Sequence, residues 1–123
     1  MYGIFVNENG GIRYADALVS GIKTLETRNR KMLHRFIGDR VAIVRTRKGK
    51  APLVVGYVTI TGAFFCCRSD FQKHFNQHLV PAGSAHDATT RGKWCYQVVE
   101  AEKADPYPLP ANTIRHGRSW CEW

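Results

Sequence analysis

Apolar and polar positions recur along this 123-residue chain in two rhythms. Residues 2–6, YGIFV, form an apolar and aromatic run that predicts a first strand, and NENGG over 7–11 follows as a turn. Ile12, Ala15, Val19 and Ile22 then recur at helical spacing, which predicts a short amphipathic helix over 12–20 with Gly21 as its stop. KTLETR over 23–28 reads as a strand with Thr24, Glu26 and Arg28 on one face, and Lys23 at the corner free to point either way. Residues 29–39 form a connector with room for a helical turn. RVAIVRT over 40–46 is a strong strand, and RKGKAP is a hairpin-like turn.

The next run, 53–67, is rich in β-branched and aromatic residues and predicts one long strand, bent or bulged at Gly56 or Gly62. Ser69 reads as the cap of a helix that places Phe71, Phe75 and Leu79 on one face and ends at Pro81. A loop over 82–92, a strand over 93–104, a stiff extended DPYPLP segment and a basic, aromatic tail complete the chain. No internal repeat or linker interrupts it, which predicts one domain over 1–123. Strands dominate with two or three short helices between them, so the expected architecture is α+β, a small, closed or nearly closed β-barrel of five to six strands.

Charge sharpens this picture. The net charge is +8, and nine cations stand against one anion, Asp39, between Arg28 and Lys50. A patch with this local excess attracts polyanions and releases their counterions, so nucleic acid is the expected partner. Arg30, Lys31, Arg45, Arg47, Lys48 and Lys50 are its candidate phosphate contacts, with Arg115 and Arg118 in the tail. The chain has no long apolar run and no signal-like start, which predicts a cytoplasmic protein without a membrane span. Cys66, Cys67, Cys95 and Cys121 form no CxxC pair and read as small buried hydrophobes rather than a zinc site or disulfide framework. His74 and His78 lie four apart on the expected helix, a chelating spacing, yet no third ligand is evident, and exposed or capping histidines are the simpler reading. His86 and Asp87 read as a polar pair in a loop. No cofactor motif or metal site is expected, and the oligomeric state is open.

The residues of GIKTLETR carry more. Arg28 offers a planar fork for phosphate or carboxylate, Lys23 is a movable point charge, and Glu26 is flanked by cations that favour its ionised form as acceptor or base. The three read equally as an internal ion pair stitching a barrel mouth. Trp94, Trp120, Trp123, Tyr57 and Tyr96 could stack on bases; most such rings fill cores, and Trp120, among Arg115, His116 and Arg118, is the best candidate stacker.

Gly21, Lys23, Glu26 and Arg28, followed by Gly38-Asp39 at the next strand and HGRSW near the end, resemble the ASCH family of the PUA-like, RNA-associated β-barrels. The resemblance implies that fold, a cleft at the motif, and an RNA or nucleotide-like ligand held by Lys23, Glu26 and Arg28. One type of relative is an N4-acetylcytidine amidohydrolase with a Thr three residues after its Lys and a later Glu. Here Glu26 holds that position and FQKHFNQHLV contains no Glu, which counts against that chemistry. Others are described as ribonucleases. The resemblance thus leaves a binding module and a small hydrolase using Lys23 and Glu26, with an adaptor for an acidic protein as a distant third.

Overall fold

A computed structural model describes residues 1–8 and 10–123 of the chain. Seven strands form one mixed sheet: β1 (Tyr2–Asn7), β2 (Leu25–Arg28), β3 (Arg40–Thr46), β4 (Leu53–Cys66), β5 (Lys93–Pro108), β6 (Ile114–His116) and β7 (Trp120–Glu122), in the order β2-β5-β4-β3-β1-β7-β6. Only β1 and β3 run parallel, with Ile4 opposite Ile43. Helix α1 (Tyr14–Val19) leads from β1 toward β2. Helices α2 (Arg68–Phe71) and α3 (Phe75–His78) lie between β4 and β5, joined by a 3-10 turn.

The strands expected near 2–6, 23–28, 40–46, 53–67 and 93–104 are present. The turn expected over 7–11 includes Asn9, which lies outside the described residues. The long strand shifts register at both glycines named as candidates, between Val54 and Gly56 and between Ile60 and Gly62. At Gly56 a side chain would strike the Glu102 carbonyl and Val19, so the missing Cβ lets α1 lie against the bend. Gly21 ends α1 in the left-handed conformation, φ 81°. The helix itself is capped by Glu8, whose Oε2 accepts the amides of Ala15 at 2.9 Å and Asp16 at 3.4 Å.

The expected barrel of five to six strands is corrected to an open seven-stranded sheet. The physical reason lies in the tail, whose last residues form the β6–β7 hairpin. β7 pairs with Tyr2, Gly3 and Ile4 of β1, and Phe5 continues that edge by donating its amide to the Ser119 carbonyl. With β3 on its other side, β1 has no backbone edge left for β2, and the sheet cannot close there. Arg28 spans the gap instead, donating from Nη2 to the Phe5 carbonyl at 2.7 Å.

The DPYP segment is extended as expected and also belongs to β5, with Tyr107 opposite Val54 and Pro108 opposite Leu53. β2 pairs with β5 only through Trp94–Gln97, so the prolines fall where the other edge of β5 carries no strand. The helix expected from Ser69 is broken into single turns; Cys67 occupies its start, and Leu79 ends it at φ 63°. Its buried residues are Phe71 and His78, while Phe75 is exposed.

Both faces of the central strands are covered, which explains their unbroken apolar runs. Along β3, Val41 and Ile43 join the main core with Leu18, Leu33, Phe36 and Tyr96, while Ala42 and Val44 face a smaller core with Phe5, Val54 and Cys121. No helix is long and apolar enough to cross a membrane.

Candidate functional site

The gap between β1 and β2 is a cleft of about 400 Å³. Phe5, Val6 and Asn7 of β1 form one wall and Glu26, Thr27 and Arg28 of β2 the other; Tyr14 of α1, Lys23, Val80, His86 and Lys93 line it further, with Arg30, Met32 and Arg118 also lining it. The site exists because the sheet stays open.

Lys23, Glu26 and Arg28 converge here. Lys23 leaves the αL turn at Gly21 pointing inward and is 1% exposed. Its ammonium donates to the His78 carbonyl, lies 3.7 Å from Glu26 Oε1, and stands 5.1 Å from the centre of the Tyr14 ring. Glu26 Oε2 accepts from Arg28 Nη2 at 3.0 Å, and Oε1 accepts the Thr27 amide at 3.2 Å. The same Arg28 nitrogen holds the Phe5 carbonyl, so one guanidinium fixes both the carboxylate and the width of the gap.

Burial alone would push the Glu26 carboxyl up. Arg28 and Lys23, with hydrogen bonds from Arg28 and Thr27, together hold it below the usual carboxylate range, so it is ionised near neutral pH. For Lys23 burial prevails: its pKa is pulled below that of an ordinary lysine even though Glu26 opposes this. Both are features of an internal ion cluster that also faces a cavity.

Two lining groups escaped the sequence reading. Lys93 opens β5, is 5% exposed, and forms neither a hydrogen bond nor an ion pair among the described residues; burial lowers its pKa. The Tyr14 hydroxyl is buried with no hydrogen-bond partner. The period-two pattern of KWCYQVV offered a signal for Lys93, which shares a face with buried Cys95. Tyr14 is four residues before Leu18 on a second apolar stripe of α1, and both are buried, whereas Ile22 of the stripe chosen from sequence is 65% exposed. His86 packs edge-on against Tyr14 with ring centres 5.9 Å apart.

The remaining predicted contacts divide. Arg30 and Arg118 line the cleft. Arg47, Lys48 and Arg115 line an adjoining groove of about 340 Å³ that shares Phe5, Asn7 and Arg118 with the cleft. Arg47 is also held by Glu8 at 3.0 Å, the carboxylate that caps α1. Arg45 lies 3.6 Å from Asp16 and outside both cavities, and Lys50 stands in the β3–β4 turn, outside both as well. Lys31 lies over the Trp94 ring at 5.2 Å.

Trp120 is half-buried among other rings: His116 stacks on it at 3.7 Å, the Arg35 guanidinium lies over it at 4.1 Å, and Tyr2 and Phe36 meet it edge-on. Tyr96 is fully buried, with its hydroxyl 2.6 Å from His34 Nδ1, and Tyr57 and Trp123 pack on the smaller core. His78 is a core residue rather than an exposed one. Its Nε2 donates to the Phe71 carbonyl and its Nδ1 accepts the Val80 amide, both at 2.8 Å, which occupies both ring nitrogens. Cys66, Cys95 and Cys121 are buried as expected, but Cys67 is exposed; all four are free thiols. Among the described residues, no three His, Cys, Asp or Glu side chains gather where one metal ion could be held.

No protein-family model matches the chain, and no curated protein does. Solved structures do match. A serine-to-alanine variant of the ASCH protein from Zymomonas mobilis is similar over 96% of this chain and 85% of its own, with TM-score 0.72 and 19% identity. The ASCH protein of Zymomonas mobilis itself gives TM-score 0.69 at 17% identity over the same shares. Its tyrosine-to-phenylalanine variant gives 0.64 at 17% identity, over 96% of this chain and 87% of that one. The chain has the ASCH fold, in agreement with the resemblance carried by Gly21, Lys23, Glu26 and Arg28.

Proposed function

We propose that this ASCH-fold chain binds RNA or a nucleotide-like ligand in the β1–β2 cleft. The observation that carries the reading is the charge of the cavity: its walls hold Lys23, Arg28, Arg30, Lys93 and Arg118 against a single carboxylate, Glu26. Arg30 and Arg118 meet phosphates, and the adjoining groove with Arg47, Lys48 and Arg115 extends the track for a longer strand. Glu26, ionised and locked by Arg28, keeps acceptor capacity for an exocyclic amine or a ribose hydroxyl. Phosphate contacts thus supply affinity, and Glu26 supplies choice.

The test is the binding of short single-stranded RNAs across salt. Four neutralised phosphates predict that affinity falls roughly fiftyfold between about 50 and 200 mM salt. Arg118→Ala weakens all sequences alike and flattens the salt slope by about one ion's worth, while Glu26→Gln changes which nucleotide is preferred. Affinity that barely moves with salt contradicts the reading.

One observation favours a second reading, a hydrolase of RNA or of a modified nucleoside. Lys23, with its lowered pKa, lies 3.7 Å from an ionised Glu26 inside a cavity of substrate size. In that reading the pair handles a proton or a water while Arg28 faces developing negative charge. Incubation with short RNAs and acetylated cytidine gives product that vanishes in both Lys23→Ala and Glu26→Ala; product persisting in both variants removes this reading.

A further inference from the structure

We infer that the inner end of the cleft is a receptor for a terminal phosphate, held by the Lys93 ammonium and the Tyr14 hydroxyl. The inference rests on the nucleotide-binding reading above and deepens it. Two unrelated elements, the start of β5 and the first turn of α1, each contribute a side chain to the lining of one cavity: Lys93, with no hydrogen bond or ion pair among the described residues, and Tyr14, whose hydroxyl has no hydrogen-bond partner among them. Tyr14 is 7% exposed and Lys93 5%. A buried hydroxyl without a hydrogen bond is costly, and so is a lysine whose stem is buried and whose charge is opposed only from a distance by Glu26 and Asp87; an oxyanion between the two groups offsets both costs.

Charge selects the class of anion. Lys23, Arg28 and Lys93 against Glu26 leave the inner cleft at +2 when all four are ionised. A phosphate monoester carries about −1.5 to −2 near neutral pH, a carboxylate or an internal diester only −1. An anion beside Lys93 also reverses the lowering of its pKa by burial.

Space selects the end of a chain over its interior. An internal phosphodiester reaching Lys93 would carry a nucleoside on each side into a cavity of about 400 Å³. A terminal monoester enters end first, leaving its one nucleoside beside Glu26 and Arg28 and any following phosphates to Arg30 and Arg118 at the rest of the cleft. The shared chemistry is therefore a phosphate monoester on a nucleoside, whether a free mononucleotide or the phosphorylated end of an RNA.

The test is calorimetric titration of the full chain with a nucleoside, its monophosphate, and a four-nucleotide RNA with and without a phosphate at either end. The terminal phosphate is expected to tighten binding about tenfold or more. That gain shrinks to about threefold or less in Lys93→Met and in Tyr14→Phe, both close in volume to the native side chains, with unfolding curves recorded to confirm that each variant folds. A gain with the mononucleotide alone assigns the free nucleotide as ligand, and a gain with the RNA assigns the RNA end; either supports the inference. RNA that binds and responds to Glu26→Gln while showing no phosphate preference overturns the inference and leaves the cleft reading standing. Failure of every probe to bind removes the cleft reading, and this inference with it. The wild-type comparison decides even if a variant does not fold.

Discussion

The basic flank over 28–50 and the cleft between β1 and β2 both look cationic, but folding treats them in opposite ways. The flank has the greater density of positive charge along the sequence. In the fold its arginines meet acids from distant segments: Arg40 with Glu102, Arg45 with Asp16, Arg47 with Glu8. The cleft gathers fewer cations, from several parts of the chain, around one acid, and leaves Lys93 without an ion pair among the described residues. Local charge density along a chain therefore says little about available charge. What matters is where the folded strands gather cations around too few acids, and the cleft does so with Lys23, Arg28, Arg30, Lys93 and Arg118 around Glu26.

Breaking the cleft's own balance has the largest expected effect. Glu26→Ala leaves Lys23 and Arg28 buried without their carboxylate and is expected to cost about 3–5 kcal/mol in urea unfolding. A loss below about 1 kcal/mol would place the cluster in contact with solvent rather than in the core. The same residue predicts a pH dependence. Glu26 is held below its ordinary value of 4.5 in the fold, so on acidification the unfolded chain takes up the proton first. Its contribution to stability is present above 4.5 and is lost as the pH falls through the folded-state value, and Glu26→Gln flattens that limb of the stability curve.

Lys93 is the opposite case. Lys93→Met removes a lysine whose charged form is disfavoured by burial, so it is expected to raise unfolding stability by up to about 1 kcal/mol while weakening ligand. A variant less stable than wild type would mean that Lys93 has a structural partner. On the flank the effects shrink. Arg40→Ala breaks a solvent-exposed pair and is expected to change stability by less than about 1 kcal/mol, with the salt slope of RNA binding unchanged. Lys50→Ala, outside both cavities, is expected to stay within about 0.5 kcal/mol and to leave affinity unaltered; a clear loss of RNA affinity would return the flank to the interface.

Much of this was legible in the sequence. β1 and β3 to β5 announce themselves through apolar runs long enough to cover both faces, and Gly56 and Gly62 mark real shifts of register. The three-residue strands β6 and β7 were not legible, because Arg115, His116 and Glu122 hide so short an alternation, and the expectation of a barrel followed from missing them. Phe71, Phe75 and Leu79 have helical spacing, but the 3-10 turn at Gln72–His74 rotates the register and puts His78 inside in place of Phe75. At the site, Lys23, Glu26 and Arg28 were readable because they are close in sequence. Tyr14 and Lys93 were not, since only the packing of α1 and β5 brings both to the lining of one cavity.

The central claim is that ligand occupies the gap between β1 and β2 rather than the basic flank. Its most direct test is amide and side-chain NMR mapping during titration with a short RNA or a nucleoside monophosphate. The account predicts shifts concentrated at Tyr14, Lys23, Glu26, Arg28 and Lys93, with residues 40–45 and Lys50 nearly still. Shifts confined to the β3–β4 hairpin, with the cleft silent, would contradict it.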